Sequence, residues 1–463
     1  MIKGFVSFGF EPPGALPGII AFDLIMLDFI IKNANIITMN DAAPVIRNGF
    51  IGIENGKIDF VSDALPDWIQ PAAARIIDAD GNIVMPGLVN THAHTAMCVM
   101  RGYADDYALS EWLFKKIFPV EGRLTREAVL AGFRLGIAEM LASGTTSFSD
   151  MYFFEPDAAA VVAETGIRAS LCNSVLALGD DYDFERDRAV IETRALIRDW
   201  HLAANGRIRA DVGIHAEYTS RPEHWRKVSE LAAENGLVTQ LHLSETRRET
   251  DECIARYGKT PTEILSKNGV FNTRTLAAHG VHLTKNDMAV LAEKGVSVAH
   301  NPVSNLKLAS GIANIAALIK HGVNVSLGTD GCASNNSHDL FEELKLSALL
   351  AKGTSLDPTV VPAYSALKLA TVNGAYAQGR ENEIGRLLPG FEADLIMLNT
   401  HSPRLRPVYD PCGTVVYSAA GADVCLTMVQ GKILYENGQW LTLDVQKAIE
   451  DVERFAVPQV LGR

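Results

Sequence analysis

The chain has 463 residues, enough for a large core, and its 48% apolar and 21% charged content is the balance of an ordinary globular protein. A formal net charge of −13 argues against a nucleic-acid or anionic-membrane surface, both of which call for clustered Lys and Arg. Six scattered cysteines (98, 172, 253, 332, 412 and 425), with no Cys-x-x-Cys, read as reduced thiols of a cytoplasmic protein.

In chain order, residues 1–25 are an apolar, Gly/Pro-punctuated stretch broken by Asp23, with neither the length of a bilayer span nor the basic start of a signal peptide. They are expected to be an extension outside the fold. Short β-strands and tight turns follow from residue 26 to 84. Phe29–Met39, Gly49–Ile53, Lys57–Val61 and Arg75–Asp78 are β-branched or aromatic runs, and Asn55-Gly56 sits at the centre of a hairpin turn. The same pattern returns after residue 385, in Ala393–Leu398, Leu426–Val429 and Lys432–Tyr435, with a hairpin at Gln430-Gly431. One small β-sandwich built from residues 26–84 and 385–463 is expected, the second part carrying the C-terminal tail.

Between them, residues 85–384 alternate apolar strands with helical patterns. The expected strands are Ile83–Asn90, Thr145–Asp150, Arg168–Asn173, Ala210–His215, Val238–Leu243, Thr275–His279, Val296–His300 and Val323–Thr329. The helical segments between them often close on a glycine, as at Gly144, Gly166, Gly236, Gly269, Gly295 and Gly322. Eight strands with crossover helices are what an α/β fold of the (β/α)8 TIM type needs. In such a barrel the C-terminal strand ends share one mouth, where the chemistry sits.

The residues at those ends are far from random. The first strand ends in His92 and His94, the fourth in His215, the fifth in His242 with Glu245 three positions on, the sixth in His279, the seventh in His300 and the eighth in Asp330. Six of the twelve histidines fall there; the others (201, 224, 282, 321, 338 and 401) lie in helices or loops and are read as structural. Histidines at i and i+2 of a strand share a face, so His92 and His94 can meet one cation. His92, His94, His242 and Asp330 form a ligand set for one divalent ion per chain, Zn²⁺ first, with Fe²⁺ or Mn²⁺ also suited. Such an ion lowers the pKa of water to about 7. Asp330 or His279 is placed to take the proton released, and Glu245 to carry one to the substrate.

These stretches resemble the amidohydrolase superfamily, in the deaminase/chlorohydrolase group that includes the methylthioadenosine/S-adenosylhomocysteine deaminases. The resemblance rests on Pro86-Gly87-Leu88-Val89-Asn90-Thr91-His92-Ala93-His94, Gly144 to Met151, His242-Leu243-Ser244-Glu245-Thr246, His300 to Leu308, and Gly328-Thr329-Asp330-Gly331. It implies that His92, His94, His242 and Asp330 hold one metal and that Glu245, His279 and Asp330 handle protons. The fourth strand, Asp211 to Tyr218, lacks the Lys that bridges two metals in the binuclear hydrolases. The resemblance further implies that Trp112 lines the substrate pocket, that Glu121 accepts both ribose hydroxyls, and that His215 contacts substrate, although the Ala216-Glu217-Tyr218 that follows departs from the pattern.

A further departure lies past the third strand. The branch acting on S-adenosylhomocysteine has an Arg there, where this chain has Leu171-Cys172-Asn173-Ser174, followed by the acidic run Asp180-Asp181-Tyr182-Asp183. The expected activity is therefore hydrolytic deamination of an adenosine-type nucleoside, with methylthioadenosine, 5′-deoxyadenosine or adenosine ahead of S-adenosylhomocysteine. The alternatives are a deaminase of a free base or pterin-like ring and a triazine-type hydrolase, neither of which would need Glu121; a metal-free scaffold would have lost ligands that are all present. A small-molecule substrate, no nucleic-acid or membrane partner, and a homo-oligomer complete the expectation.

Overall fold

The two β-rich chain ends meet in one nine-stranded sheet. The computed structural model describes residues 27–66, 73–177, 179 and 182–463, so the expected extension over 1–25 and the acids Asp180 and Asp181 lie outside the described residues. The sheet runs Gln439–Trp440, Lys432–Glu436, Val424–Val429, Leu395–Leu398, Ile83–Pro86, Leu27–Ile37, Val45–Glu54 and Lys57–Ser62, with Ala73–Asp78 parallel to Leu27–Ile37. Leu395–Leu398 pairs antiparallel with Ile83–Pro86 and so splices the two ends together. The Asn-Gly hairpin forms as read: Glu54 pairs with Lys57, and Asn55 and Gly56 take φ of 52° and 77°, the left-handed pair of a type I′ turn. Ile31, Ile36, Ile51, Ile53, Val84, Leu395, Leu426 and Met428 make the buried core of this sheet.

The middle of the chain is a distorted barrel made of two parallel arcs. One arc orders Ile208–Ala210, Arg168–Cys172, Thr145–Met151, Leu88–His94 and Asp330–Gly331. The other orders Asn324–Leu327, Ser297–His300, Thr275–His279, Thr239–Leu243, Val212–Ile214 and Ser174–Val175. Three of the eight strands are interrupted, at Asn173, at Asp211 and at Gly328-Thr329, and their halves belong to different arcs. Asn90 and Thr91 in the first strand close the barrel on the eighth: the Asn90 amide donates to Thr329 Oγ1 at 2.8 Å and Thr91 Oγ1 to the Leu327 carbonyl at 2.8 Å.

One expected strand is corrected. Ile83–Asn90 is not continuous: Ile83–Pro86 belongs to the terminal sheet and Leu88–His94 to the barrel. The break falls at Gly87, where a Cβ would lie 2.1 Å from Thr146, so only a glycine lets the chain cross between the two layers. Both halves are wholly apolar at their start, which is why they read as one run. The helices follow expectation more closely. Arg126–Ala142 is capped by Thr125, Arg188–Trp200 by Asp187 and Lys285–Glu293 by Thr284. The six glycines read as stops all have φ between 65° and 85°.

The barrel and the sheet are joined by a buried ion pair. Arg168 Nε and Nη2 donate to the two Asp394 oxygens at 2.8 and 3.1 Å, and Asp394 Oδ1 also accepts from the Gln430 amide at 2.8 Å. No helix among the described residues is long and apolar enough to cross a membrane.

Candidate active site

His92 and His94 leave the first barrel strand on one face, as i, i+2 spacing requires. His94 Nε2 lies 3.3 Å from His242 Nε2 and 3.3 Å from Asp330 Oδ1, and His92 Nε2 lies 3.5 Å from the same carboxylate oxygen. The ligating atoms of His92, His94 and His242 all lie within 4.8 Å of one another, as do those of His92, His279 and Asp330. All five side chains are buried.

The surroundings of the rings suit a cation. The second nitrogen of His94 meets the Met151 carbonyl at 2.6 Å and that of His242 meets the His215 carbonyl at 2.6 Å. A carbonyl only accepts, so each Nδ1 carries the proton and each Nε2 turns a lone pair toward the centre. His92 Nε2 is buried with no hydrogen-bond partner, an atom that a metal would satisfy. Burial holds His92 down to about 4 and His242 well below the usual imidazole range, so both are neutral ligands. Asp330 works the other way: burial alone would raise its carboxyl, but His92, His94 and His279 hold it far below the usual carboxylate range. Ser304 and Ser334 hydroxyls donate to Asp330 Oδ2 at 2.6 and 3.0 Å and fix its orientation. The donor set of imidazoles and one carboxylate fits a single divalent ion, with Zn²⁺ the natural occupant.

The backbone is arranged for this convergence. Gly328 packs where a Cβ would be 2.7 Å from His92 Cβ and from the Asn301 amide, so the eighth strand can approach the first. Asp330 and His279 adopt φ of 63° and 73°, unusual for residues with side chains, and both sit where their strands turn into the mouth.

Glu245 and His279 form the next layer. His279 Nε2 lies 3.8 Å from Glu245 Oε2, while His279 Nδ1 meets Asn305 Oδ1 at 2.9 Å and the Ser310 hydroxyl donates to Glu245 Oε1 at 3.0 Å. Burial raises the Glu245 carboxyl, and Asp330 adds to that effect. Burial opposes a charged His279, but the Glu245 and Asp330 carboxylates outweigh it and its imidazole is raised overall. The loop carrying Glu245 is itself held by Glu249, whose two oxygens accept from the Ser244 and Glu245 amides at 2.8 and 2.7 Å.

A cavity with about 650 Å³ of open space ends on these groups. Its walls bring together every substrate-contact residue expected from the sequence: Trp112, Glu121 and His215 line it with His94, His242, Glu245, His279 and Asp330. Loss of water pushes the Glu121 carboxyl up to about 7, opposed in part by Tyr152 and His94. The indole N–H of buried Trp112 has no hydrogen-bond partner among the described residues. His215, neutral because burial holds it near 3, packs its ring 4.7 Å from that of His242. The departure after it has a local reason: Glu217 turns away to pair with Arg256, and the short turn Glu217–Thr219 leaves Tyr218 on the cavity wall. His300 is buried but belongs to neither ligand cluster. Sequence reading missed Tyr152, Tyr218 and Phe118 on the walls and the serines behind Asp330 and Glu245; of these, Tyr152 and Ser304 carried a signal, directly after or within the quoted motifs.

The comparisons with known proteins agree with this geometry. The amidohydrolase family matches residues 83–434. The 5-methylthioadenosine/S-adenosylhomocysteine deaminase of Acetivibrio thermocellus is 45% identical over 433 residues, covering 93% of this chain and 99% of the relative. The 5′-deoxyadenosine deaminase of Methanosarcina mazei is 46% identical over 431 residues, covering 93% and 98%. Among solved structures, an adenosine deaminase from Xanthomonas campestris with bound zinc superposes with a TM-score of 0.88 at 32% identity, covering 94% of this chain and 99% of that one. Strand-end histidines, one carboxylate and a matched span of this extent lead to one conclusion: the chain belongs to the amidohydrolase family.

Proposed function

We propose that the protein is a metal-dependent aminohydrolase that replaces the exocyclic amine of an adenosine-type nucleoside with oxygen and releases ammonia. The observation that carries this reading is the shared cavity: Glu121, a carboxylate able to accept from both hydroxyls of a vicinal diol, faces the same space as the imidazole cluster, Glu245 and His279. The relatives named above act, by their names, on adenosine derivatives, which supports the same class.

In this reading His92, His94, His242 and Asp330 hold the divalent ion, which supplies Lewis acidity that makes water nucleophilic near neutral pH. Asp330 or His279 accepts the one proton that leaves the water. Glu245, whose carboxyl is favoured in its protonated form by burial, delivers a proton to the ring nitrogen beside the reacting carbon. That group then returns the proton to the amine, which leaves as ammonia as the C–N bond breaks, and Glu245 regains its proton from the new hydroxyl as the carbonyl forms. Trp112 walls the pocket, and neutral His215 contacts the base. Methylthioadenosine, 5′-deoxyadenosine or adenosine is preferred over S-adenosylhomocysteine, because the third strand ends at Cys172-Asn173 in place of an Arg and Arg188, on the helix that follows, is already paired with Glu192.

The boundaries near residues 84 and 385, a cytoplasmic location and a homo-oligomer belong to the same proposal. The first is supported by the sheet strands on either side of the barrel, the second by six cysteines that are all free thiols. The test is ammonia release by metal-loaded enzyme from methylthioadenosine, adenosine, its 2′- and 3′-deoxy forms and adenine, in wild type and Glu121→Ala. Wild type should discriminate against the deoxy forms and adenine, and the variant should lose most of that preference, since hydrogen bonds to a charged group are worth about 1.5–3 kcal/mol each. Equal kcat/KM for adenosine and adenine in wild type would replace the nucleoside by a free ring.

A further inference from the structure

We propose that Glu192 is a specificity-determining residue, which disfavours carboxylate-bearing substituents on the 5′ side of the nucleoside pocket by neutralising Arg188. The inference rests on the nucleoside reading above. A second cavity, with about 950 Å³ of open space, adjoins the first and shares with it Phe118, Glu121, Phe153, Ser174 and Leu176. Glu121 therefore stands at the junction. A ribose held there has its base toward the imidazole cluster and its 5′ carbon toward the second cavity. The other opening of the pocket, past Leu109 and Tyr218, does not include Glu121.

The wall of this second cavity carries a cation that looks suited to a carboxylate, yet it is already engaged. Arg188 Nε meets Glu192 Oε1 at 2.6 Å, one helical turn away, and its guanidinium carbon sits 3.9 Å from the Phe154 ring centroid. The other oxygen of Glu192 accepts from the Asn173 amide at 2.8 Å and from the Phe154 backbone N–H at 3.0 Å. Both Glu192 oxygens are thus used, and Arg188 is pinned between a carboxylate and an aromatic face. Asp187, on the same wall, spends its charge on the amides of Ala189 and Val190. A carboxylate entering here would meet Glu121 and Asp187 on the walls and Arg188, a cation already paired with Glu192; a methylthio or methyl group would meet Phe118, Phe153 and Leu176. The lack of a free cation for a carboxylate on one side and apolar contact for a methylthio or methyl group on the other set the preference.

The test is kcat/KM for 5′-methylthioadenosine and for S-adenosylhomocysteine in wild type, Glu192→Gln and the double variant Arg188→Gln/Glu192→Gln. Gln keeps an acceptor for Asn173 and Phe154 while giving up the charge. Glu192→Gln should move the ratio toward S-adenosylhomocysteine by about tenfold or more, a change of one factor of ten per 1.4 kcal/mol, mainly through its KM. The double variant should move the ratio back. A ratio unchanged in Glu192→Gln, or a shift that persists without Arg188, overturns the assignment. Arg188→Gln alone, at a half-exposed side chain, provides the variant least exposed to misfolding. It should leave the wild-type ratio within about twofold, as expected for a cation already spent, and a tenfold loss confined to S-adenosylhomocysteine would overturn the proposal. Normal turnover of methylthioadenosine with an unmoved ratio defeats Glu192 alone, whereas no turnover of either nucleoside by wild type defeats the nucleoside reading beneath it.

Discussion

Two buried charged networks of this molecule are built to different rules. At the junction of barrel and sheet, Arg168 and Asp394 are each 1% exposed in their side chains; two hydrogen bonds join them and the Gln430 amide completes the carboxylate. At the mouth, buried side chains are left unfinished: His92 Nε2 reaches only the Asp330 carboxylate at 3.5 Å, outside a good hydrogen bond, and Trp112 Nε1 has no hydrogen-bond partner among the described residues. A finished network fixes a structure, and an unfinished one facing a cavity waits for something to bind. The contrast separates residues whose loss should cost stability from those whose loss should cost turnover.

The mouth should give the largest effect. Asp330→Asn is expected to abolish ammonia release while far-UV circular dichroism and melting temperature stay near wild type, because the amide keeps the shape and loses the charge that the ion and the proton both need. Glu245→Gln should retain the metal and lose on the order of 10²–10⁴ in kcat, the usual worth of a positioned acid or base. Metal analysis of that variant separates the roles, since a lost ion would make Glu245 a ligand.

The junction should respond in the opposite sense. Asp394→Asn leaves buried Arg168 with only the more distant Glu392 carboxylate, 3.9 Å away, and chemical denaturation should show a loss of about 3–5 kcal/mol. The folded fraction should keep a near-normal KM. A variant with unchanged stability and lowered kcat would erase the distinction drawn between the two networks.

The smallest effect concerns pH. Burial pushes the Asp211 carboxyl up to about 7, partly offset by the Gln240 amide, which donates to it at 2.8 Å. Between the unfolded carboxylate range near 4 and pH 7, the folded protein keeps a proton that the unfolded chain has released. Unfolding then releases a proton, so this group's contribution to stability falls as pH rises across that window and is constant above it. Asp211→Asn should flatten the stability profile between pH 4 and 7; an unchanged slope would mean that Asp211 is ionised in the fold.

Much of the mouth was legible in the chain because strand ends are where barrel chemistry collects, and His92, His94, His215, His242, Glu245, His279 and Asp330 all stand at or just past such ends. The hairpins were legible for the same kind of reason, Asn55-Gly56 being a conformation written in two residues. What stayed hidden depends on partners distant in sequence. Nothing near Ile83–Asn90 shows that Thr146 will crowd Gly87 and divide the run between two layers. Nor does Arg188 reveal, without the third strand beside it, that Glu192 reaches Asn173 as well. Of the serines that hold Asp330 and Glu245, Ser304 lies within a quoted motif, whereas Ser334 and Ser310 come from loops that carry no such signal.

The most direct test of a single-metal deaminase is titration of metal-stripped protein with Zn²⁺ while ammonia release from methylthioadenosine is followed. Activity should rise linearly and reach its plateau at one ion per chain, with His92→Ala failing to recover at the same concentration. A plateau at two ions per chain, or full turnover before any is added, would contradict the account.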